Sequence, residues 1–345
     1  MDSVAVMVQR QAVLAEVVRS GFVEGHHYGS VVALAADGST AYAAGDVATQ
    51  VLPRSCNKPL QAVGMLRVGL DLDGELLAVA CASHSGEPFH IDAVRRILAG
   101  AGLDESLLQT PPDFPLDDES REAVVRAGGQ RAPVLMNCSG KHAAMLATCV
   151  VNDWDLATYR EPDHPLQRAI RATFAELTGE AVTAVAVDGC GAPLFSASLT
   201  GLARGFARIA TAGLDKLDHR ADKLDQHSAD HRTEERRVAE AIRAYPAFVS
   251  GTTRDERALL TAIPGAIGKA GAESCYAVAL PDGRSFALKH DDGAPRARAV
   301  TMAALLQRFG VDTEDGVDTE AVRATGRALV LGGGVPVGEI RATLP

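Results

Sequence analysis

Arg54-Ser55-Cys56-Asn57-Lys58-Pro59, followed by an apolar run over 60–66, puts a serine hydroxyl three residues before a lysine amine at a helix start. Pro59 has no backbone N–H and is tolerated only in the first helical turn, so the helix begins near Ser55 or Cys56. Residues three apart share a helix face, which brings the Lys58 amine towards the Ser55 hydroxyl. The positive end of the peptide dipoles favours a serine alkoxide and disfavours a second positive charge, hence a neutral, basic lysine. That is the chemistry of a nucleophilic serine with a lysine base. An ordinary helix start, with Ser55 as cap and Lys58 in solvent, fits the same residues, so context must decide.

Four further stretches set small or polar residues at the end of an apolar run, where side chains can face a cleft. Ser83 and Ser85 flank His84 before Gly86, as a second hydroxyl in the site or as a cap and a turn serine. Cys138 and Lys141 repeat the three-residue spacing at another helix start, with His142 adjacent, and Cys190 follows Asp188-Gly189. Thiolates are good zinc ligands, yet two cysteines with one lysine fall outside the usual zinc sets, and by themselves these residues fit inert buried thiols better. Lys269-Ala270-Gly271 has the lysine and glycine of the Lys-Thr-Gly signature of Ser-x-x-Lys acyl-transfer enzymes, without its hydroxyl. Gly332-Gly333-Gly334 is too short to cradle a phosphate.

The elements that must position these groups are legible in outline. Residues 28–36 and 39–44 predict two strands around an Asp37-Gly38 turn. The Ser-x-x-Lys helix follows, then a short apolar run over 76–82, a helix over 89–101 and a Pro-rich loop passage over 110–132. Residues 134–137 suggest a brief buried strand, with a helix opening at Cys138 and another from His164-Pro165 to about Thr178. A strand over 181–187, a helix over 196–211 and a helix ending at Ala244 come next, with a short one after Arg254. Residues 264–271 form a Gly-rich turn, leading into a hairpin of 274–280 and 285–289 around Asp282-Gly283. A helix over 295–309 and a closing strand over 335–342 complete the chain. Residues 213–237 are charged and His-rich; His219, His227 and His231 suggest a solvated face or insertion rather than a metal site.

Strands therefore cluster at the two ends of the chain, in about 25–50 and 270–345, around a helix-rich part over about 55–265. One α/β unit of α+β type results, spanning 1–345, an antiparallel sheet flanked by helices. The 345 residues, 47% hydrophobic and 23% charged, suit a globular protein with a large core. A net charge of −10 argues against a nucleic-acid or anionic-membrane partner. No secretory signal or bilayer-length apolar run is legible, and the six scattered cysteines lack a disulfide rhythm, so reduced thiols in the cytoplasm are expected.

An early Ser-x-x-Lys helix with a late Lys-x-Gly strand entry resembles the serine β-lactamase and penicillin-binding-protein architecture. Read together, Arg54 to Pro59, Ala82-Ser83-His84-Ser85-Gly86-Glu87, Asn137-Cys138-Ser139-Gly140-Lys141-His142, Asp163-His164-Pro165, Asp188-Gly189-Cys190 and Gly268-Lys269 resemble the L-asparaginase II family of the inducible rhizobial type. The resemblance runs from about Tyr28 to the C-terminus. It implies a β-lactamase-like homodimer that hydrolyses L-asparagine to L-aspartate and ammonia. It implies two Ser–Lys pairs, Ser55 with Lys58 and Ser83 with Lys269, and Zn²⁺ on Cys138, Lys141 and Cys190. Arg54, His84, His142 and Asp188 sit in matched motifs and become candidates for substrate binding. The expected oxyanion donors are the Ser55 N–H and one N–H of the late strand. A glutaminase- or β-lactamase-type hydrolase, or a non-catalytic metal-dependent amino-acid sensor, would carry many of the same residues.

Overall fold

The computed structural model describes residues 11–213 and 226–345, without the side chains of 226–232. His219 and the side chains of His227 and His231 therefore lie outside the described residues. The strands are β1 (Ala12–Arg19), β2 (Phe22–Leu34), β3 (Thr40–Ala44), β4 (Val185–Val187), β5 (Pro193–Phe195), β6 (Ile267–Ala270), β7 (Cys275–Ala279), β8 (Ser285–His290), β9 (Ala328–Gly332) and β10 (Val335–Ala342). The helices are α1 (Lys58–Arg67), α2 (Gly74–Ala80), α3 (Pro88–Gly100), α4 (Asp118–Arg126), α5 (Ser139–Val151), α6 (Pro165–Thr178), α7 (Leu199–Thr211), α8 (Gln226–Ala244), α9 (Pro246–Val249), α10 (Asp255–Ala262), α11 (Arg298–Arg308) and α12 (Thr319–Thr325).

Eight strands form one antiparallel sheet in the order β6-β7-β8-β2-β1-β10-β9, with β3 taking the place of β1 along the second half of β2. The β2 sequence explains its double role. Its first half alternates exposed and covered residues, and its second half, from Val31 to Leu34, is wholly buried. Helix α7 packs on β2, β7 and β8, whereas α11 packs on β8, β10 and β1, so strands at the sheet centre are covered by helices. This is the antiparallel sheet flanked by helices that the sequence predicts.

The helical part is built around α1. Every residue from Lys58 to Leu66 is buried, and α1 packs against α6, α8, α5 and α2. A helix covered on all sides belongs in a core, and any charge it carries must find partners there.

Three expectations change. Residues 134–137 are not a strand: Pro133, with no N–H to give a ladder, starts a 3-10 turn over Pro133–Leu135. The strand expected over 181–187 shrinks to β4, whose neighbour β5 offers only three partners. Gly268 and Lys269 lie within β6 rather than in a turn, because Ile267 to Ala270 are buried and pair with Ala279 to Tyr276. The structure also adds β1, β9, α4 and α12, which sequence patterning does not reveal.

Candidate active site

Ser55 sits in a 3-10 turn, Arg54–Asn57, that runs directly into α1. Arg54, just before it, has φ +52°, a left-handed conformation that non-glycine residues adopt at a cost of order 1–3 kcal/mol. Ser55 is partly exposed, and its hydroxyl makes no hydrogen bond among the described residues. Lys58, by contrast, is only 1% exposed. Its amine donates to the Ala82 carbonyl and, at 2.9 Å, to Ser83 Oγ. Thus α1 supplies the amine, and the chain leaving α2 supplies the acceptors. No hydrogen bond joins Ser55 to Lys58, a looseness common before substrate binds.

The pairing of Ser83 with Lys269 is not the one the structure makes. Ser83 belongs to Lys58, and Lys269 donates to Glu256 Oε1 at 2.8 Å and to the Ala270 carbonyl at 2.8 Å. Both ends of the Lys269–Glu256 bridge are completely buried. An ammonium without water takes the nearest carboxylate in preference to a neutral hydroxyl. Burial pulls the Lys269 amine below its usual pKa, with Glu256 opposing and Lys58 assisting that pull. The second oxygen of Glu256 is buried without a partner.

The late strand also closes one route to an oxyanion hole. The Ala270 N–H donates to Glu256 at 3.0 Å, and the Gly271 N–H donates to the Cys275 carbonyl at 2.8 Å. Those two donors are committed. Gly271 also matters for what it lacks, since a Cβ there would lie 2.7 Å from the Pro53 carbonyl and 3.2 Å from Cys56 Sγ. Only glycine lets the end of β6 press against the turn that carries Ser55. The Lys-x-Gly signature thus records a close backbone approach.

A second group of side chains abuts the first. Helix α5 begins at Ser139, with Cys138 as its N-cap, and its first turn projects Lys141 and His142 towards the loop that joins β4 to β5. Gly140 permits this, since a Cβ there would meet the Val79 carbonyl at 2.4 Å. Lys141 donates to Cys190 Sγ at 3.1 Å. The two thiols interact: Cys138 is pushed well above the usual thiol range by Cys190 and burial, and Cys190 is pulled far down by Cys138, against burial, with Lys141 assisting. Cys138 and Lys141 thus favour the thiolate form at Cys190. Burial opposes the Lys141 cation, yet Cys190, Cys138 and Asp188 together hold its pKa above the ordinary lysine range.

Arg54 ties the two groups together. Its Nε donates to Asp188 Oδ1 at 2.8 Å and its Nη1 to Glu273 Oε1 at 3.3 Å. The residue before the serine is thereby fixed to the residue two before Cys190. Desolvation works against the guanidinium charge, and Asp188 together with Glu273 and Cys138 more than offsets it.

Among the described residues no cluster of three His, Cys, Asp or Glu side chains is set up to hold a metal. The donor chemistry nevertheless fits a soft divalent ion. Two contacting thiols and an amine converge, and His142 Nε2 is buried without a hydrogen-bond partner next to Cys190. The other ring nitrogen, Nδ1, is 2.6 Å from the Tyr159 hydroxyl, which fixes the ring plane. Lys141 would have to give up its proton to act as a ligand.

His84 is placed differently from the other candidates. It is fully buried, its Nε2 lies 2.8 Å from Ser139 Oγ, and its ring stacks on His90 at 5.2 Å. Ser139 Oγ in turn donates to the Val134 carbonyl. His84 therefore braces the start of α5 from behind. Glu256 is the residue that sequence reasoning missed; its signal is a carboxylate three and four positions before Leu259 and Leu260, on the core-facing side of α10.

The L-asparaginase II family profile matches residues 15–342. No curated protein matches the chain. Among solved structures, Mglu in its native form is 14% identical, with 82% of this chain and 64% of that one covered and a TM-score of 0.42, so the chain spans less than two thirds of that neighbour. A β-lactamase from Mycobacterium bovis is 14% identical over 81% of this chain and 94% of its own, with a TM-score of 0.43. A Bacillus glutaminase is 11% identical over 82% and 91%, with a TM-score of 0.33. The family match takes in all ten strands except the first residues of β1, and every residue of the two groups described above. The chain belongs to the L-asparaginase II family.

Proposed function

We propose that the protein is an L-asparaginase in which Ser55 attacks the side-chain amide carbon of L-asparagine and Lys58 takes the serine proton. The observation that carries this reading is the buried Lys58 amine, three residues after a partly exposed serine. Its only hydrogen-bond partners among the described residues are a carbonyl and a hydroxyl. No carboxylate among the described residues holds that amine, so it is placed to trade a proton.

In the first half-reaction the Ser55 proton passes to Lys58 and then to the departing nitrogen, the C–N bond breaks and ammonia leaves a β-aspartyl ester. In the second, water gives a proton to Lys58 and attacks the ester, and Ser55 recovers its hydrogen as aspartate leaves. The Ser55 N–H, at the head of the 3-10 turn, is the proposed oxyanion donor, and such donors supply roughly 3–4 kcal/mol each. Arg54, next to Ser55 in sequence and held by Asp188, suits a substrate carboxylate. Cys138, Lys141 and Cys190 would hold Zn²⁺, with His142 beside them. Bound there, the ion supplies a Lewis-acidic anchor for the substrate's amino or carboxylate group.

Ammonia release from asparagine, glutamine and a chromogenic β-lactam tests the substrate, with Ser55→Ala as control. Turnover of asparagine that Ser55→Ala lowers by several orders of magnitude supports the reading. Preference for glutamine or the β-lactam would replace the substrate, and near-normal turnover in Ser55→Ala with an inactive Ser83→Ala would move the nucleophile to Ser83. Thermal stabilisation by asparagine without ammonia release would point to a sensor instead.

A further inference from the structure

We propose that Glu256 sorts the two buried lysines of the site, taking Lys269 as its counter-ion so that Lys58 alone serves both serines. The inference rests on the assignment of Ser55 as nucleophile and goes beyond it. Ser55, Lys58 and Ser83 become one proton relay, in place of two separate Ser–Lys pairs, and Lys269 becomes part of its support.

The geometry is specific. Glu256 Oε1 receives two hydrogen bonds, from the Lys269 amine at 2.8 Å and from the Ala270 N–H at 3.0 Å. It thus grips both the side chain and the backbone of β6 from the first turn of α10. The Lys269 amine also donates to the Ala270 carbonyl, and it makes no hydrogen bond to Ser83. Lys58 has the opposite surroundings, a carbonyl and the Ser83 hydroxyl. An ammonium clamped to a carboxylate is poorly placed to accept a serine proton, whereas an amine between a carbonyl and a hydroxyl can pass one on.

The charged and titratable groups facing Lys269 come from four elements. Glu256 faces it from α10, Lys58 from α1, Cys56 from the nucleophile turn and Cys81 from the end of α2. Glu256 is the sole anion among them, because burial pushes both thiols up and keeps them neutral. Behind Glu256 stand Asp255 and Arg298, joined at 3.0 Å, and Tyr276. In the relay the Ser55 proton moves to Lys58, crosses the Ser83 hydroxyl and reaches the leaving nitrogen as the C–N bond breaks. Water then gives one proton to Lys58 as its oxygen bonds to the acyl carbon, and Lys58 passes that proton to Ser55 Oγ as the ester C–O bond breaks, which leaves the lysine neutral again. No charge has to leave the Glu256–Lys269 pair at any stage.

The test uses the full chain in five variants: Glu256→Gln, Lys269→Met, the double Glu256→Gln/Lys269→Met, Lys269→Arg and Ser55→Ala. Turnover, KM, the pH profile of kcat/KM and the thermal midpoint are measured for each. Removing one member of a buried pair strands the other, so each single neutral variant is expected to lose ~100-fold or more in kcat. The double variant is expected to recover at least about tenfold over the worse single, with the wild-type pH profile. Lys269→Arg keeps the cation and cannot act as a base, so it is expected to exceed Lys269→Met by at least about tenfold. A folded Lys269→Arg no better than Lys269→Met, or a folded double variant no better than either single, makes Lys269 a proton acceptor and overturns the proposal. If the neutral variants do not fold, the Lys269→Arg comparison with wild type decides by the same tenfold margin. Wild-type turnover in Ser55→Ala would instead remove the nucleophile assignment, whatever the pair does.

Discussion

Replacing Lys58 by Met separates the lysine's chemistry from its packing. Methionine has nearly the length of the lysine stem and fills the same space in α1, where every neighbour from Pro59 to Leu66 is buried. Two acceptors lose their donor, the Ala82 carbonyl and Ser83 Oγ. Each unpaired buried acceptor costs about 1–3 kcal/mol. Against that, a buried amine with no carboxylate partner disappears, which returns an amount of similar size. The net change in stability is expected within about 2 kcal/mol, a shift of a few degrees in Tm for a chain of this size. Activity should behave otherwise. A positioned general base is worth about 10²–10⁴ in rate, or roughly 3–5 kcal/mol of barrier. Ammonia release by Lys58→Met, followed alongside thermal denaturation and intact-mass detection of the acyl-enzyme, separates the two quantities. Loss of at least ~100-fold in kcat with a native-like melt is the expected outcome. Turnover within tenfold of wild type in a folded variant would refute the reasoning, because the buried amine would then be a packing element only.

Gly140→Ala should be among the most damaging small substitutions, because its Cβ would collide with the Val79 carbonyl, backbone against backbone. A loss of about 1–3 kcal/mol in chemical denaturation is expected, with an unchanged melt as the contrary result. Cys138→Ser should lower the metal content of the purified protein, read by elemental analysis, and raise KM more than it lowers kcat; an unchanged zinc content would remove Cys138 from the donor set. Burial brings His90 and His290 down to about 4 from the ordinary histidine range, so both are neutral in the folded state while an unfolded chain would protonate them near 6.5. The unfolded state therefore binds more protons between these values, and stability is full above about pH 6.5 and falls as the pH drops towards 4. Urea midpoints at pH 7.5, 6, 5 and 4.5 should decline in that order, and His290→Asn should make the decline shallower.

The parts of the site that are legible in the sequence are those fixed by local backbone rules. Pro59 sets the start of α1, and the spacing of Ser55 and Lys58 follows from it. What escapes is decided by the third dimension. Lys269 chooses Glu256 over Ser83 because a carboxylate thirteen residues earlier folds back onto the same strand, and acidic residues in a first helical turn otherwise read as ordinary dipole partners. The strand β9 escapes because its exposed leucines, Leu329 and Leu331, sit on the face that an alternation rule reserves for polar residues. The glycine-rich entry to β7 reads as a turn because glycine usually marks one; at Gly271 it marks two backbones pressed together.

One seam of the sheet joins strands far apart in sequence: Ala15 is the register partner of Ala342, and Arg19 of Gly338. A ribosome must therefore make about three hundred residues after β1 before that strand can acquire its second neighbour. Until then β1 presents a row of unmatched amides that a stray strand could fill. Such a fold is expected to assemble slowly after synthesis and to lean on chaperones while it waits.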